Sequence, residues 1–261
     1  MRVVVLGSGS KGNAFVVEAG GSSSEPRRIL VDAGFSRRQL ELRMRAVGVE
    51  PETLSAVILT HEHSDHCRGI EVLAKNRGLP VFATQGTLDE ISLPYAGQVL
   101  ASNRCQEVGD GFEVEPFHIT HDAREPVGFV VRDGAGSQVG LLADAGVPNR
   151  LALAKLASVD ALLLECNHDL ELLRGGPYPW FVKERIWGRH GHLSNRQAAE
   201  SIPDLVNDRL QWIVAYHLSE TNNRPELARL SLAEALEAEG CDAQIQVASQ
   251  DRPSSWLEVS P

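Results

Sequence analysis

Aromatic residues are scarce, at 5% of the 261-residue chain, so the core must be built chiefly from Val, Leu, Ile and Ala. Cysteine is scarce too. The four cysteines, Cys67, Cys105, Cys166 and Cys241, are widely spaced and form no CxxC, so they read as reduced thiols rather than a disulfide framework or a thiolate zinc site. No apolar run approaches the roughly 20 residues needed to cross a bilayer, so no membrane partner is expected. The opening residues MRVVVLGSGSKGN lack the longer apolar segment of a signal peptide, and a cytoplasmic address is expected. Positive charge is in deficit as well. The net charge of −10 argues against a generally sticky nucleic-acid binder. Locally the balance reverses: Arg27, Arg28, Arg37, Arg38, Arg43 and Arg45 crowd one stretch, and Lys183, Arg185, Arg189 and Arg196 another. Each is either a solvated helix face or a rim for a polyanion.

The apolar and charged fractions, 43% and 23%, are those of a globular chain, and the length suits one large domain spanning 1–261. Short β-branched runs alternate with turns and helical patterns. Strands are expected at Val3–Leu6, Ala14–Val17, Ile29–Asp32 and Ala56–Thr60, with a turn at 20–26. Ser36 is positioned to cap a helix carrying Leu40, Met44 and Val47, and a second helix should cover Asp65–Asn76. Residues 80–145 are strand-rich. Helical patterns return at 149–158, 195–209 and Pro225–Glu239, the last with Pro at its start and Gly240 after its end. Strands recur at Ala161–Leu164, Trp212–Ala215 and Ala243–Ala248. The order fits two sheets flanked by helices in an α/β domain.

The informative stretch is Thr60-His61-Glu62-His63-Ser64-Asp65-His66, which follows a buried-type strand. A loop leaving a strand end can turn alternate side chains into one cavity, so His61 and His63 can share one ion. Asp65 and His66 open the next helix and can face a second ion about 3.5–4 Å from the first. Imidazole and carboxylate donors suit zinc, manganese or iron.

HxHxDH after a hydrophobic strand resembles the signature of the metallo-β-lactamase fold hydrolases. The resemblance implies a four-layer αββα sandwich and two divalent metal ions per chain. It also implies that His121 and His217 complete the ligand set, that Asp144 in LADAG bridges the ions, and that Asp32 in LVDAG braces the metal loop. His118, three residues before His121, competes for the third histidine position. The HDA sequence starting at His121 favours His121, which leaves His118 as a supporting pocket residue. Four longer segments resemble the YycJ/WalJ-type exonucleases: GSGSKGN at 7–13, ECNHD at 165–169, GHLSN at 191–195 and HLSETNN at 217–223. GHLSN and Glu165 also resemble elements of RNase Z, and PhnP-type phosphodiesterases are related.

The resemblance points to a phosphodiesterase, foremost a 5′-to-3′ DNA exonuclease acting on DNA ends as a monomer or homodimer. A water shared by two divalent ions loses its proton near neutral pH and can attack phosphorus, with Asp65 as orienter or base. His192 is the candidate acid or oxygen-stabilising donor, with Glu165 holding its imidazole; a helix-capping histidine is the bland alternative. His168 either plays a similar part or lines the pocket. Ser10 and Asn13, in a glycine-rich loop after the first strand, either meet a phosphate or make a tight hairpin. Ser194 and Asn195 are candidate substrate contacts, and Asn222 supports the His217 loop. Tyr178, Trp180, Phe181 and Trp187 lie beside the second basic run, as base-stacking surfaces or as core. A small-molecule cyclic-nucleotide or nucleotide phosphodiesterase is the nearest alternative, ahead of a thioester or lactone hydrolase.

Overall fold

The structure is a computed structural model that describes residues 1–20 and 26–261. Most of the turn expected at 20–26 therefore lies outside the described residues. The first half of the chain lays down β1 (Arg2–Gly7), β2 (Ala14–Ala19), β3 (Arg27–Val31), β4 (Leu54–Ile58), β5 (Val81–Ala83) and β6 (Gln98–Val99). Helices α1 (Arg37–Ala46), α2 (Ser64–Cys67), α3 (Ile70–Arg77) and α4 (Gln85–Glu90) lie between them. The second half supplies β7 (Gln106–Val108), β8 (Phe112–His118), β9 (Val127–Asp133), β10 (Gln138–Leu142), β11 (Ala161–Glu165), β12 (Trp212–Tyr216) and β13 (Gln244–Val247). It also carries α5 (Arg150–Leu156), α6 (Leu170–Gly175), α7 (Trp180–Trp187), α8 (Asn195–Glu200), α9 (Ile202–Leu205) and α10 (Pro225–Ala238). A final β14 (Leu257–Glu258) returns to pair antiparallel with β1.

Among the described residues these strands form two seven-stranded sheets, β14-β1-β2-β3-β4-β5-β6 and β13-β12-β11-β10-β9-β8-β7. Period-two alternation sends every second side chain to the opposite face. Val3, Val5, Phe15, Val17, Ile29 and Val31 of the first sheet thus meet Val114, Phe129, Val131, Leu141 and Leu163 of the second in one inner core. The intervening residues face outward. Val4, Leu6, Val16 and Leu30 pack against Leu40, Met44 and Leu73 of α1 and α3. Leu142, Leu162, Leu164 and Ile213 pack against Ala152, Leu156, Leu232 and Leu236 of α5 and α10. Three cores between four layers make the αββα sandwich.

Several boundaries differ from expectation for local reasons. The helix expected over Asp65–Asn76 breaks at Gly69, whose N–H is taken by the Ala33 carbonyl at 2.8 Å. A Cβ at Gly69 would stand 2.2 Å from the Phe35 carbonyl oxygen. The pattern at 195–209 splits into α8 and α9, with Pro203 in the first turn of α9, where its missing N–H costs nothing, and the chain leaves helix after Leu205. The 149–158 helix closes two residues early, at Leu156, and is capped by the Asn149 side chain, which accepts the Ala152 N–H. The strand expected at 243–248 is present as β13, but it is not the last: β14 follows, and with only two residues it is too short to show a pattern in the sequence. Helix α7 was not anticipated.

Candidate metal centre and active site

Strands β3 and β4 run parallel, as do β10, β11 and β12, so their C-terminal ends reach one rim of the sandwich. The chemistry-bearing residues sit just beyond those ends: Asp32 after β3, the His61–His66 loop after β4, Asp144 after β10 and His217 after β12. Asp32, Asp144 and His217 have φ of 59°, 55° and 57°, the left-handed region that non-glycine residues seldom adopt. The chain turns sharply at each strand end, and the side chain swings into the rim rather than continuing the pleat. Such backbone strain concentrates at functional sites.

The loop after β4 is tied down from below. Ala33 N–H donates to the His66 carbonyl at 2.6 Å, and Asn13 N–H to the Asp65 carbonyl at 2.7 Å. Gly34 lies so close beneath that a Cβ there would fall 1.7 Å from the Asp65 carbonyl oxygen.

The donors converge. His61, His63 and His121 offer ligand atoms that all lie within 4.8 Å of one another, as do Asp65, His66 and His217. His121 Nε2 is 3.3 Å from His63 Nδ1. Asp144 stands between the groups: Oδ1 is 3.8 Å from His121 Nε2 and 3.5 Å from His217 Nε2, and Oδ2 is 3.0 Å from His66 Nε2. Outer partners orient the rings. Nδ1 of His66 is 2.7 Å from Asp32 Oδ2, Nδ1 of His121 is 3.1 Å from the Gly191 carbonyl, and Nδ1 of His61 is 3.0 Å from Thr60 Oγ1. With Nδ1 so engaged, the Nε2 lone pair points inward, as a metal-binding imidazole requires. His61 Nε2 is fully buried and has no hydrogen-bond partner. A buried ring nitrogen left bare is costly unless a cation takes it, so the donor set fits divalent metal.

The electrostatics agree. Burial, with His66 beside it, holds His61 well below the usual histidine range, so it stays neutral and able to coordinate. Burial alone would raise Asp144, but His217 and His66 hold its carboxyl well below the usual carboxylate range. Burial likewise opposes charge on His217, yet Asp144 and Asp65 overcome it and push His217 up to about 10. The rim is thus a field of carboxylates that draws positive charge, and a bound divalent ion competes with those protons.

Beside this cluster Glu165, fully buried at the end of β11, has Oε1 2.8 Å from His192 Nδ1 and 3.3 Å from His217 Nδ1. Its Oε2 accepts the Ala145 and Leu193 N–H groups at 2.8 and 3.2 Å. Burial pulls His192 down, but Glu165 outweighs it and leaves the imidazole above its ordinary value.

Other residues singled out in the sequence lie elsewhere. Asn13 is buried; its amide contacts His66 Nε2 at 3.1 Å, and its oxygen accepts from Ser8 Oγ and Gly9 N–H. It ties the β1–β2 hairpin to the metal loop. Ser10 alone of that loop's candidates lines the cavity over the cluster. Ser194 N-caps α8 in a capping box, and Asn195 pairs with Asn223 in the interior. His168 is buried with both ring nitrogens unpartnered, and burial pulls it down to about 4. Asn222 is buried with its side-chain amide unpartnered. His118 is exposed at the end of β8, outside every donor group, and uses its carbonyl to accept from Asn149.

Two supports escaped the sequence reading. Ser8 Oγ accepts the His217 N–H at 2.8 Å, and the Asn167 amide donates to the His217 carbonyl at 2.9 Å. Both lie in segments already conspicuous for small and polar residues, but only the fold shows their target. The cavity over the cluster, about 200 Å³, is roofed by Val182, Arg185 and Ile186 of α7.

Residues 27–213 match the family model of the beta-lactamase superfamily domain. The chain is 34% identical to the exodeoxyribonuclease YycJ of Bacillus anthracis over 90% of its own length and 89% of that protein. It is 34% identical to the exodeoxyribonuclease WalJ of Streptococcus pneumoniae over 98% of this chain and 97% of the other. The fold is similar to that of the metallo-beta-lactamase fold protein YhfI from Bacillus subtilis, with a TM-score of 0.72, 16% identity, and coverage of 97% and 98% of the two chains.

Proposed function

The chain belongs to the metallo-β-lactamase superfamily, alongside the YycJ and WalJ proteins, and from that premise we propose that it is a 5′-to-3′ DNA exonuclease working with two divalent metal ions, zinc or manganese, with iron as a third option. His61, His63 and His121 would hold one ion and Asp65, His66 and His217 the other, with Asp144 shared between them. Divalent ions supply Lewis acidity that polarises a phosphoryl oxygen and acidifies water. Asp65 accepts a hydrogen bond from the attacking water and orients it toward phosphorus. Protonated His192 donates to a non-bridging oxygen, or to the leaving oxygen as the ester bond breaks. Glu165 holds that imidazole by its Nδ1, so the opposite nitrogen faces the cavity.

The observation that carries this reading is the pairing of buried Glu165 with half-buried His192, 2.8 Å apart, opening into the same cavity as the donor cluster. A hydrolase that needs only the metal ligands has no use for it. The small size of the cavity, about 200 Å³, favours a second reading, a phosphodiesterase for nucleotides or cyclic nucleotides. We place the protein in the cytoplasm, in keeping with a DNA substrate.

The test incubates the purified protein with manganese or zinc and 5′-labelled single-stranded and duplex DNA and RNA, beside Asp65→Ala and His192→Ala. Stepwise shortening of DNA by the wild type, lost in both variants with metal retained in His192→Ala, is the expected result. Full activity of His192→Ala removes its assignment. Hydrolysis of cyclic nucleotides with inert DNA promotes the second reading.

A further inference from the structure

Helix α7 carries an unusual pair for an acidic protein. Phe181 is 72% exposed, more than any other large apolar side chain among the described residues, and has no aromatic neighbour there. Trp180, 59% exposed, is pinned edge-on against Trp187. Phe181 itself does not line the cavity, but it directly precedes Val182, which does, and its exposure adds nothing to holding α7, which is already anchored. Lys183 is buried with its ammonium on the Arg174 carbonyl at 2.6 Å, and Val182 and Ile186 close over the cavity.

Arg185 lies one turn beyond Phe181 and shares its side of the helix, since residues four apart are neighbours on one face. Their separation along the axis is roughly 6 Å, within the span of one nucleotide's base and phosphate. Among the described residues, Arg185 is the one lysine or arginine lining the cavity. Its guanidinium rests on Asp122 Oδ2 at 2.7–2.8 Å, and Asp122 Oδ1 in turn lies 3.4 Å from His121 Nε2. The Arg185 side chain is 71% exposed. An ion pair so open to solvent is weak and readily exchanged for another anion. Arginine binds phosphate oxygens with the same forked geometry that it uses on a carboxylate.

Building on the exonuclease reading, we infer that α7 grips an unpaired strand end: Phe181 stacks on a base, and Arg185 leaves Asp122 to hold a phosphate next to the one being cut. In a duplex both faces of an internal base are covered by its neighbours, so on duplex DNA this grip engages only a terminal or frayed nucleotide, whereas every base of a single strand is open to it. Stacking tolerates any base, so no sequence preference is expected.

The test follows KM, kcat and salt dependence on a 5′-labelled single-stranded oligonucleotide and on the same sequence as a blunt duplex, with the metal-loaded protein. Phe181→Ala should raise KM for the single strand on the order of tenfold, with a smaller change in kcat and a smaller effect on the duplex. Phe181→Trp should restore KM, which a merely structural role for the ring would not require. Arg185→Ala should also raise KM, and should reduce the slope of log kcat/KM against log salt by about 0.7, the share of one single-strand phosphate contact; Phe181→Ala should leave that slope unchanged. A wild-type KM in Phe181→Ala, failure of Phe181→Trp to rescue, or an unchanged salt slope in Arg185→Ala overturns the inference. A wild-type protein that cuts no nucleic acid overturns the parent reading instead.

Discussion

Glu165 Oε1 stands 2.8 Å from Nδ1 of His192, and the same oxygen stands 3.3 Å from Nδ1 of His217. One buried carboxylate therefore orients both the candidate proton donor and a candidate metal ligand. Glu165→Gln keeps the shape and removes the charge. Disturbing a ligand's outer partner typically costs 10–100-fold, so kcat on labelled DNA should fall by at least about that much. Elemental analysis should show metal content falling as well, through His217. A variant with full activity and full metal content would separate Glu165 from both histidines.

Metal removal should destabilise the fold, because the cluster gathers carboxylates and a bare His61 nitrogen around a space that a cation would fill. An ion at a thousand times its Kd stabilises by about 4 kcal/mol. Chelation should therefore lower Tm, and readdition of zinc or manganese should restore it. Asp144→Ala, lacking the carboxylate shared by both donor groups, should lose most of the metal-dependent Tm shift in differential scanning calorimetry.

His168 should give the metal-free protein an acid sensitivity. Burial holds its folded-state pKa at about 4, while the unfolded chain titrates near the ordinary value of about 6.5. Between those values the unfolded state binds a proton that the folded state refuses. Stability is therefore full above about pH 6.5 and declines as pH falls toward 4, by roughly 3 kcal/mol in all. Urea midpoints measured across that window should fall less steeply in His168→Gln than in the wild type. Parallel slopes would show that the ring finds a partner in solution.

Gly34 should tolerate no side chain. A Cβ there would sit 1.7 Å from the Asp65 carbonyl oxygen and 2.6 Å from the Asn13 nitrogen, both backbone atoms. The loop carrying Asp65 and His66 would have to move. Overpacking of this kind costs about 1–3 kcal/mol, and Gly34→Ala should lose activity and metal affinity beyond its loss of stability. In urea the wild type should unfold in one cooperative transition, as one domain spanning 1–261 would; Gly34→Ala should keep that single transition at a lower midpoint.

Local signals were legible in the chain. The three histidines and the aspartate of 61–66 lie within six residues, so their meeting needs no long-range contact. The short apolar, β-branched runs of β1 and β2 mark strands buried on both faces, and Asn149 and Pro225 mark helix starts by their own chemistry. The break at Gly69 was not legible, because it depends on Ala33 and Phe35 from another part of the chain. Nor was the position of Asn13, which looks like a loop residue until its amide is seen against His66. Trp180 and Phe181 could equally have been core, and packing left them outside.

By itself the sequence determined which donors exist, that several follow strands, and that two sheets would close over an aliphatic core, because residue type and short-range periodicity are properties of the chain. Only the tertiary structure decided which nitrogen of each imidazole faces inward, that Asp32, Asp144 and His217 turn through a left-handed backbone at the strand ends, and that Glu165 serves two histidines at once. Those outcomes depend on groups from distant segments meeting at one rim, and hydrogen bonds act only at contact.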